Sequence, residues 1–164
     1  MRDQRYVAAL AYRPLTVIYD PVVRLTTRES TVKSALVRQA RLQPGDRVLD
    51  LGCGTATLAI AVKQQQPRAE VVGVDGDTAI LRRARAKAAR AGVVLRLEEA
   101  LAHRMPFPDA SFDCVLSSLL FHHLEREHKF ATLHEVCRVL RPGGQLHVAD
   151  WGKAGNALMR GLYL

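Results

Sequence analysis

One stretch limits what this chain can fold into: Arg47 to Ala61, RVLDLGCGTATLAIA. Arg47 to Leu51 is a short apolar run entered through the turn pair Pro44-Gly45, so it reads as a buried strand. Gly52 and Gly54 follow without a break. At the carboxyl end of a strand, two glycines let the backbone turn sharply and approach a ligand with no Cβ in the way. Thr55 is placed to cap a helix whose apolar members Ala56, Leu58, Ala59 and Val62 recur at helical spacing. The free N–H groups of that helix start would point at whatever sits over the glycines.

A glycine turn needs a partner. Glu70 to Val74 is a second apolar run, and it ends in Asp75. That acid stands about 20 residues past Gly54, where an α/β nucleotide fold places the carboxylate that accepts both ribose hydroxyls. The plainer reading makes Asp75 a helix cap, but Asp77 is better placed for that. A nicotinamide site would want G-x-G-x-x-G/A, and here the sixth position is Thr57. Asp50, two residues before the first glycine, would repel a pyrophosphate and suits a cationic ligand.

VLDLGCGTATL followed by VVGVD resembles the class I S-adenosylmethionine (SAM) dependent methyltransferases. The likeness extends from about Tyr12 to the end of the chain. It takes in MPFPDASFDCVLSSLLFHHL (Met105 to Leu124) and VLRPGGQLHVADWG (Val139 to Gly152). Within that family it is most similar to the subgroup containing the ubiquinone and menaquinone biosynthesis C-methyltransferases. The resemblance implies SAM as cofactor, a Rossmann-like open sheet, and a small-molecule or lipid-like methyl acceptor. It implies that Gly52 and Gly54 admit the cofactor and that Asp75, with Gly76 after it, holds the ribose. Asp50 would orient the cationic methionine end, and backbone groups at Ser117 would face the same part. Relatives carry an acid before their Leu-Pro-Phe that bonds the adenine amino group, and that place falls here on Leu101. Either Glu99 is brought in by a loop shift, or packing and backbone alone hold the adenine. The segment 1–27 would fold over the cofactor, with Tyr19 touching SAM or simply packed on the domain surface.

Composition narrows the class. With 164 residues, 48% hydrophobic and 24% charged, the chain suits one soluble globular domain with a real core. No run reaches the roughly 20 apolar residues that span a bilayer. The N-terminus lacks a signal-peptide core, and three widely spaced cysteines without a CxxC pair fit a reducing cytoplasm and propose no metal site. Net charge is +8, with Arg82, Arg83, Arg85, Lys87 and Arg90 gathered on one helix. Without interleaved aromatics this reads as a solvated face, so nucleic acid is not the expected partner.

The rest of the chain supplies alternating units. Thr27 opens a helix to about Leu42 with Val32, Ala35, Leu36 and Ala40 inward. Asp77 caps a helix that Gly92 ends, and Val93 to Leu97 is the third strand. Phe112 to Ser117 is the fourth strand, with Leu120-Phe-His-His-Leu124 beyond its carboxyl end. There the pair His122 and His123 could supply a general base, with His123 the candidate for substrate contact, against the plainer reading of loop or helix-start residues making hydrogen bonds. A helix over 127–140 with Phe130, Leu133, Val136 and Leu140 inward leads through Arg141-Pro-Gly-Gly144 into a fifth strand over 145–150. Strands alternating with helices predict βαβ units and a mainly parallel sheet of about five strands, helices on both faces. Ser117-Ser-Leu-Leu120 is unlike Asn-Pro-Pro-Tyr, which argues against base amino methylation.

The family adds two further strands, so residues 28–164 are expected to be a core truncated at the carboxyl end. Its fifth strand would be left with an open edge inviting self-association. The rival readings are SAM binding without turnover and an NAD(P)-dependent oxidoreductase, which Thr57 and Asp50 oppose.

Overall fold

The computed structural model describes residues 29–150. Tyr19, Thr27, the segment 1–27 and the tail after Asp150 lie outside them. The chain runs α1 (Glu29–Ala40), β1 (Arg47–Leu51), α2 (Thr57–Gln65), β2 (Glu70–Asp75), α3 (Thr78–Arg90) and β3 (Arg96–Glu99). It continues through β4 (Phe112–Ser118), a 3-10 turn (Phe121–His123), α4 (Arg126–Val139) and β5 (Leu140–Ala149). All pairings are parallel, in the order β3-β2-β1-β4-β5. This is the five-strand α/β sheet the alternation predicts. β1 is central, and the order reverses beside it, the switch point at which open α/β sheets bind ligands.

Both faces of the sheet are covered, as buried parallel strands require. Alternate residues of one strand serve opposite layers. On one side Val48, Val71 and Leu116 meet Leu36 and Val37 of α1, Leu58 and Val62 of α2 and Leu81 of α3. On the other, Leu49, Val72 and Val115 meet Met105, Phe107, Val136 and Val139. Phe107 stands edge-on to fully buried Phe112 with ring centroids 5.1 Å apart. Asp77 caps α3 as expected, its carboxylate accepting from Ala79 N at 2.7 Å and Ile80 N at 3.2 Å.

Several expected boundaries move. The third strand is Arg96–Glu99, not 93–97, because Gly92 ends α3 at positive φ and Val93 N still bonds back to Ala88 O. Val94 is therefore 88% exposed. α1 buries only Leu36, Val37 and Ala40, where it meets α2 and β5, so Val32 and Ala35 face outward. α4 buries Thr132, Val136 and Val139 and exposes Phe130 and Leu133. Its inward stripe is rotated from the one the apolar residues mark. Thr55 does not cap α2: the N-cap position is Ala56, without a side-chain bond. β5 begins at Leu140, with a register shift opposite Phe112 and Cys114 that absorbs the Pro-Gly-Gly segment.

One arginine fixes the irregular stretch between β3 and β4. Arg138 of α4 donates to both oxygens of Glu135 at 2.7 and 2.9 Å. It also donates to Asp109 at 2.8 Å and to the carbonyls of Phe107 at 2.7 Å and Met105 at 3.2 Å. Glu135 in turn accepts from Met105 N at 2.8 Å, and these bonds hold its carboxyl below the usual carboxylate range. Arg138→Met should leave two loop carbonyls without their donor and lower stability by about 1–3 kcal/mol in denaturant titration. A change under about 0.5 kcal/mol would show that the loop holds itself.

Candidate functional site

The turn after β1 is built by acceptors on neighbouring elements. Val74 O accepts from Gly52 N and Cys53 N, each at 2.9 Å. Asp75 Oδ2 accepts from Gly54 N at 2.9 Å, and its Oδ1 accepts from Asp77 N at 3.0 Å. Asp50 Oδ2 accepts from Ala59 N at 3.0 Å inside the first turn of α2. Amides expected to face a ligand are therefore partly engaged by the chain's own carboxylates. Gly52 and Gly54 lie at φ +70 and +53, the left-handed region that favours glycine. A Cβ on Gly52 would fall 2.8 Å from Leu120 Cδ1, whereas one on Gly54 would project into open space. Gly73 clears room beneath the turn for Cys53, whose Sγ would be 3.0 Å from an added Cβ.

Ala56 closes this turn at φ 59 while fully buried. A non-glycine residue there costs roughly 1–2 kcal/mol, so packing and bonds hold it in place. The pattern D-x-G-x-G-x-A carried that signal, since the third alternate position after the acid would suit a glycine. Across the turn, Lys87 of α3 donates to Thr57 Oγ1 at 2.5 Å, tying the helix to the loop.

Burial raises both acids. Asp50 is 2% exposed, and its carboxyl is pushed up to about 6 by desolvation, against a lowering by Lys33 and by the Ala59 amide. Asp75 is raised by desolvation too, opposed by the amides of Gly54 and Asp77. Asp75 is half-buried and each of its oxygens already accepts one amide, leaving lone pairs for further donors. Asp50, by contrast, is a buried group with one oxygen on the helix.

The other expected residues gather at the same ends of the strands. Gly76 follows Asp75 and is half-buried. Glu99 pairs in register with Asp75 and is exposed. It lines a cavity of about 330 Å³ with Ala100, Leu101, Arg104, Met105 and Pro106. Leu101 is 39% exposed, so this departure from the family pattern is a rim residue and not a core one. Ser117 is fully buried and its hydroxyl donates to Leu51 O at 3.1 Å, which leaves only its backbone for a ligand. A second cavity, about 370 Å³, lies among Gln43, Asp46, Asp113 and Arg141 at the amino ends of the strands, away from all of these.

His123 sits exposed on the 3-10 turn, with its ring 3.9 Å from that of His122. No hydrogen bond from its ring to a carboxylate is described, although the charge of Asp150 reaches it. His122 has such a bond: its Nδ1 lies 2.5 Å from Asp150 Oδ1. Asp150 Oδ2 also accepts from Phe121 N at 2.6 Å. Sequence reasoning weighed the histidine pair together, singled out His123, and gave Asp150 no role. An acid closing an apolar strand, as Asp75 does, was the available signal.

Asp50 gives a test with a sign. An acid whose folded pKa is raised costs stability once it ionises, so its cost appears as pH rises from about 4 through 6. Asp50→Asn keeps an oxygen for Ala59 N and removes the buried charge. The variant should melt higher than the parent above about pH 6, by on the order of 2 kcal/mol, and the advantage should vanish towards pH 4. Melting curves against pH check this, and an equal or lower melting point at pH 7.5 would contradict it.

Known proteins resemble this chain in sequence and fold. A model of the methyltransferase domain family matches residues 48–144, more than half of the chain. The demethylmenaquinone methyltransferase of Thermus thermophilus is 43% identical over 105 residues, 64% of this chain and 47% of that protein. The ubiquinone/menaquinone biosynthesis C-methyltransferase of Cupriavidus metallidurans is 38% identical over 123 residues, 74% of this chain and 50% of that protein. This chain thus spans about half the length of such relatives. The crystal structure of a putative methyltransferase from Bacillus halodurans superposes with TM-score 0.70 at 29% identity, over 80% of this chain and 55% of that one. The family model covers more than half of the chain and these relatives match it in sequence, and the chain therefore belongs to the class I S-adenosylmethionine-dependent methyltransferase family, beside the ubiquinone and menaquinone C-methyltransferases.

Proposed function

We propose that this chain binds S-adenosylmethionine at the carboxyl ends of β1, β2 and β4 and transfers its methyl group to a small-molecule or lipid-like acceptor of the quinol class. The observation that carries the reading is the Asp50–Asp75 pair around a turn whose Gly54 opens on empty space. Two desolvated carboxylates repel a pyrophosphate and attract a cation, which favours SAM over a nicotinamide dinucleotide. The chemistry supplied by SAM is an electrophilic methyl group on a sulfonium.

The chain's own residues bind and align. Asp75 accepts the ribose hydroxyls on its remaining lone pairs, with Gly76 beside it. Gly52 and Gly54 let the backbone approach, Asp50 contributes charge, and the Ser117 backbone closes the methionine side. The cavity beside Glu99 receives the adenine, where exposed Leu101 supplies apolar surface and Glu99 an acceptor. Tyr19 and the rest of 1–27 cover the cofactor. Alignment and exclusion of water account for most of the rate in such a displacement. A quinol acceptor comes from the names of the relatives alone.

No helix among the described residues is long and apolar enough to cross a membrane. Three free cysteines, two of them buried, favour a reducing compartment such as the cytoplasm. β5 pairs only with β4 among the described residues, so its outer edge is the place for self-association.

Calorimetry with SAM and with NAD tests the cofactor, and SAM alone should bind. Asp75→Ala removes charge-assisted bonds worth about 1.5–3 kcal/mol each before water compensates. SAM affinity should fall at least about tenfold. It should also loosen the turn, because Gly54 N and Asp77 N lose their acceptor. Unchanged affinity in a folded variant would reject the ribose role.

A further inference from the structure

The histidine pair beyond β4 is asymmetric. His122 and His123 lie on one 3-10 turn whose preceding residue, Leu120, packs against Gly52 of the cofactor turn. His123 N donates to Leu120 O at 3.0 Å, its ring lies against the His122 ring, and Asp150 acts on it through charge without a described hydrogen bond. Desolvation and the adjacent His122 hold His123 below the usual histidine range. His122 is held from two sides. Asp150, 13% exposed at its side chain, accepts from the backbone amides of Phe121 and His122 at 2.6 and 3.3 Å and faces His122 Nδ1 at 2.5 Å.

A carboxylate on Nδ1 fixes three things. It selects the neutral tautomer with the proton on Nδ1, it sets the ring orientation, and it stabilises the imidazolium that forms when Nε2 takes a proton. No described residue engages Nε2. β4 and β5 deliver the dyad to the carboxyl ends of the strands, beside the turn where the cofactor is placed. A bland capping role is met by Oδ2 and the two amides alone. It does not need the second oxygen on the imidazole.

We infer that His122, positioned by Asp150, is the general base that takes the phenolic proton of a hydroxylated aromatic acceptor, in place of His123. This rests on the function proposed above and deepens it. The phenolic O–H proton passes to Nε2, which raises electron density on the ring carbon. That carbon forms its bond to the methyl group as the methyl–sulfur bond breaks with its electron pair staying on sulfur. The ring carbon's own proton leaves to water, and Nε2 returns its proton to the oxygen. One proton is released overall, and nothing is oxidised. Asp150 is the positioning residue.

Histidine-labelled NMR on the full 164-residue chain reads the dyad without turnover. One- and two-bond nitrogen–proton correlations should show His122 as the Nδ1-protonated tautomer when neutral. Adding 1,4-dihydroxynaphthalene in the presence of S-adenosylhomocysteine should shift its Nε2 signal. An Nε2-protonated tautomer, or no shift at saturating ligand, overturns the inference. With radiolabelled SAM and the same quinol, His122→Asn should lower kcat by about 10²–10⁴-fold while KM and SAM affinity stay within about twofold. Asp150→Asn should lower kcat less, and one- and two-bond correlations of that variant should show His122 losing its preference for the Nδ1-protonated tautomer. Equal kcat in His122→Asn with a working parent rejects the base role alone. A parent that binds no SAM, or binds it and methylates no quinol, rejects the proposed function instead.

Discussion

The site depends on carboxylates that accept backbone amides. Asp75 bonds Gly54 N and Asp77 N at once, so a single side chain joins the end of β2 to the turn after β1 and to the start of α3. Asp50 does the same between β1 and α2. Charge-assisted bonds of this kind are roughly twice as strong as neutral ones, and burial strengthens them further. Burial also raises both acids, so the turn is held by groups whose ionisation is itself costly. That cost is met where a bound cation would offset it.

The turn stores strain for the same reason. Gly52, Gly54 and Ala56 all lie at positive φ within five residues. Glycine takes this conformation freely, and alanine does not. Ala56 stays because its amide bonds Cys53 O at 2.8 Å, its carbonyl accepts from Ile60 N at 2.9 Å, and its methyl group is packed in the core. Leu119, at φ 59 after β4, is held likewise through its amide on Ala149 O. Strained residues thus stand at the carboxyl ends of both β1 and β4, around the same cleft.

Which parts were legible in the sequence follows from what sets each of them. β1 is read to the residue, because Pro44-Gly45 and Gly52 bound an apolar run that has only one packing solution. Asp77 is read as a cap because capping is local. α4 is not: Phe130 and Leu133 mark one stripe, but the sheet and the Arg138 network turn a different one inward. Thr132 is fully buried and Phe130 is 56% exposed, the reverse of what their hydropathy predicts. β3 slips because a four-residue edge strand with Leu97 as its only buried residue carries almost no periodic signal. His122 was hidden because its distinction comes from Asp150, 28 residues away, and nothing local separates it from His123.

Charge is distributed against the average. The chain carries a net +8, yet Asp50, Asp75, Asp77, Glu99 and Asp150 converge on the carboxyl ends of the strands. The excess of arginine lies elsewhere: α3 carries Arg82, Arg83, Arg85, Lys87 and Arg90 and no acid. At physiological salt an exposed charge is screened within about 8 Å, so the remote arginines do little at the cleft, whereas buried carboxylates are screened far less. The field at the site is therefore set by its own acids, with Lys33 as the cation acting on Asp50. Those acids are fixed by the fold, since removing Asp75 releases Gly54 N of the glycine turn and removing the Asp50 side chain releases Ala59 N in the first turn of α2. The negative charge beside the turn and the bonds that shape it thus rest on the same two side chains.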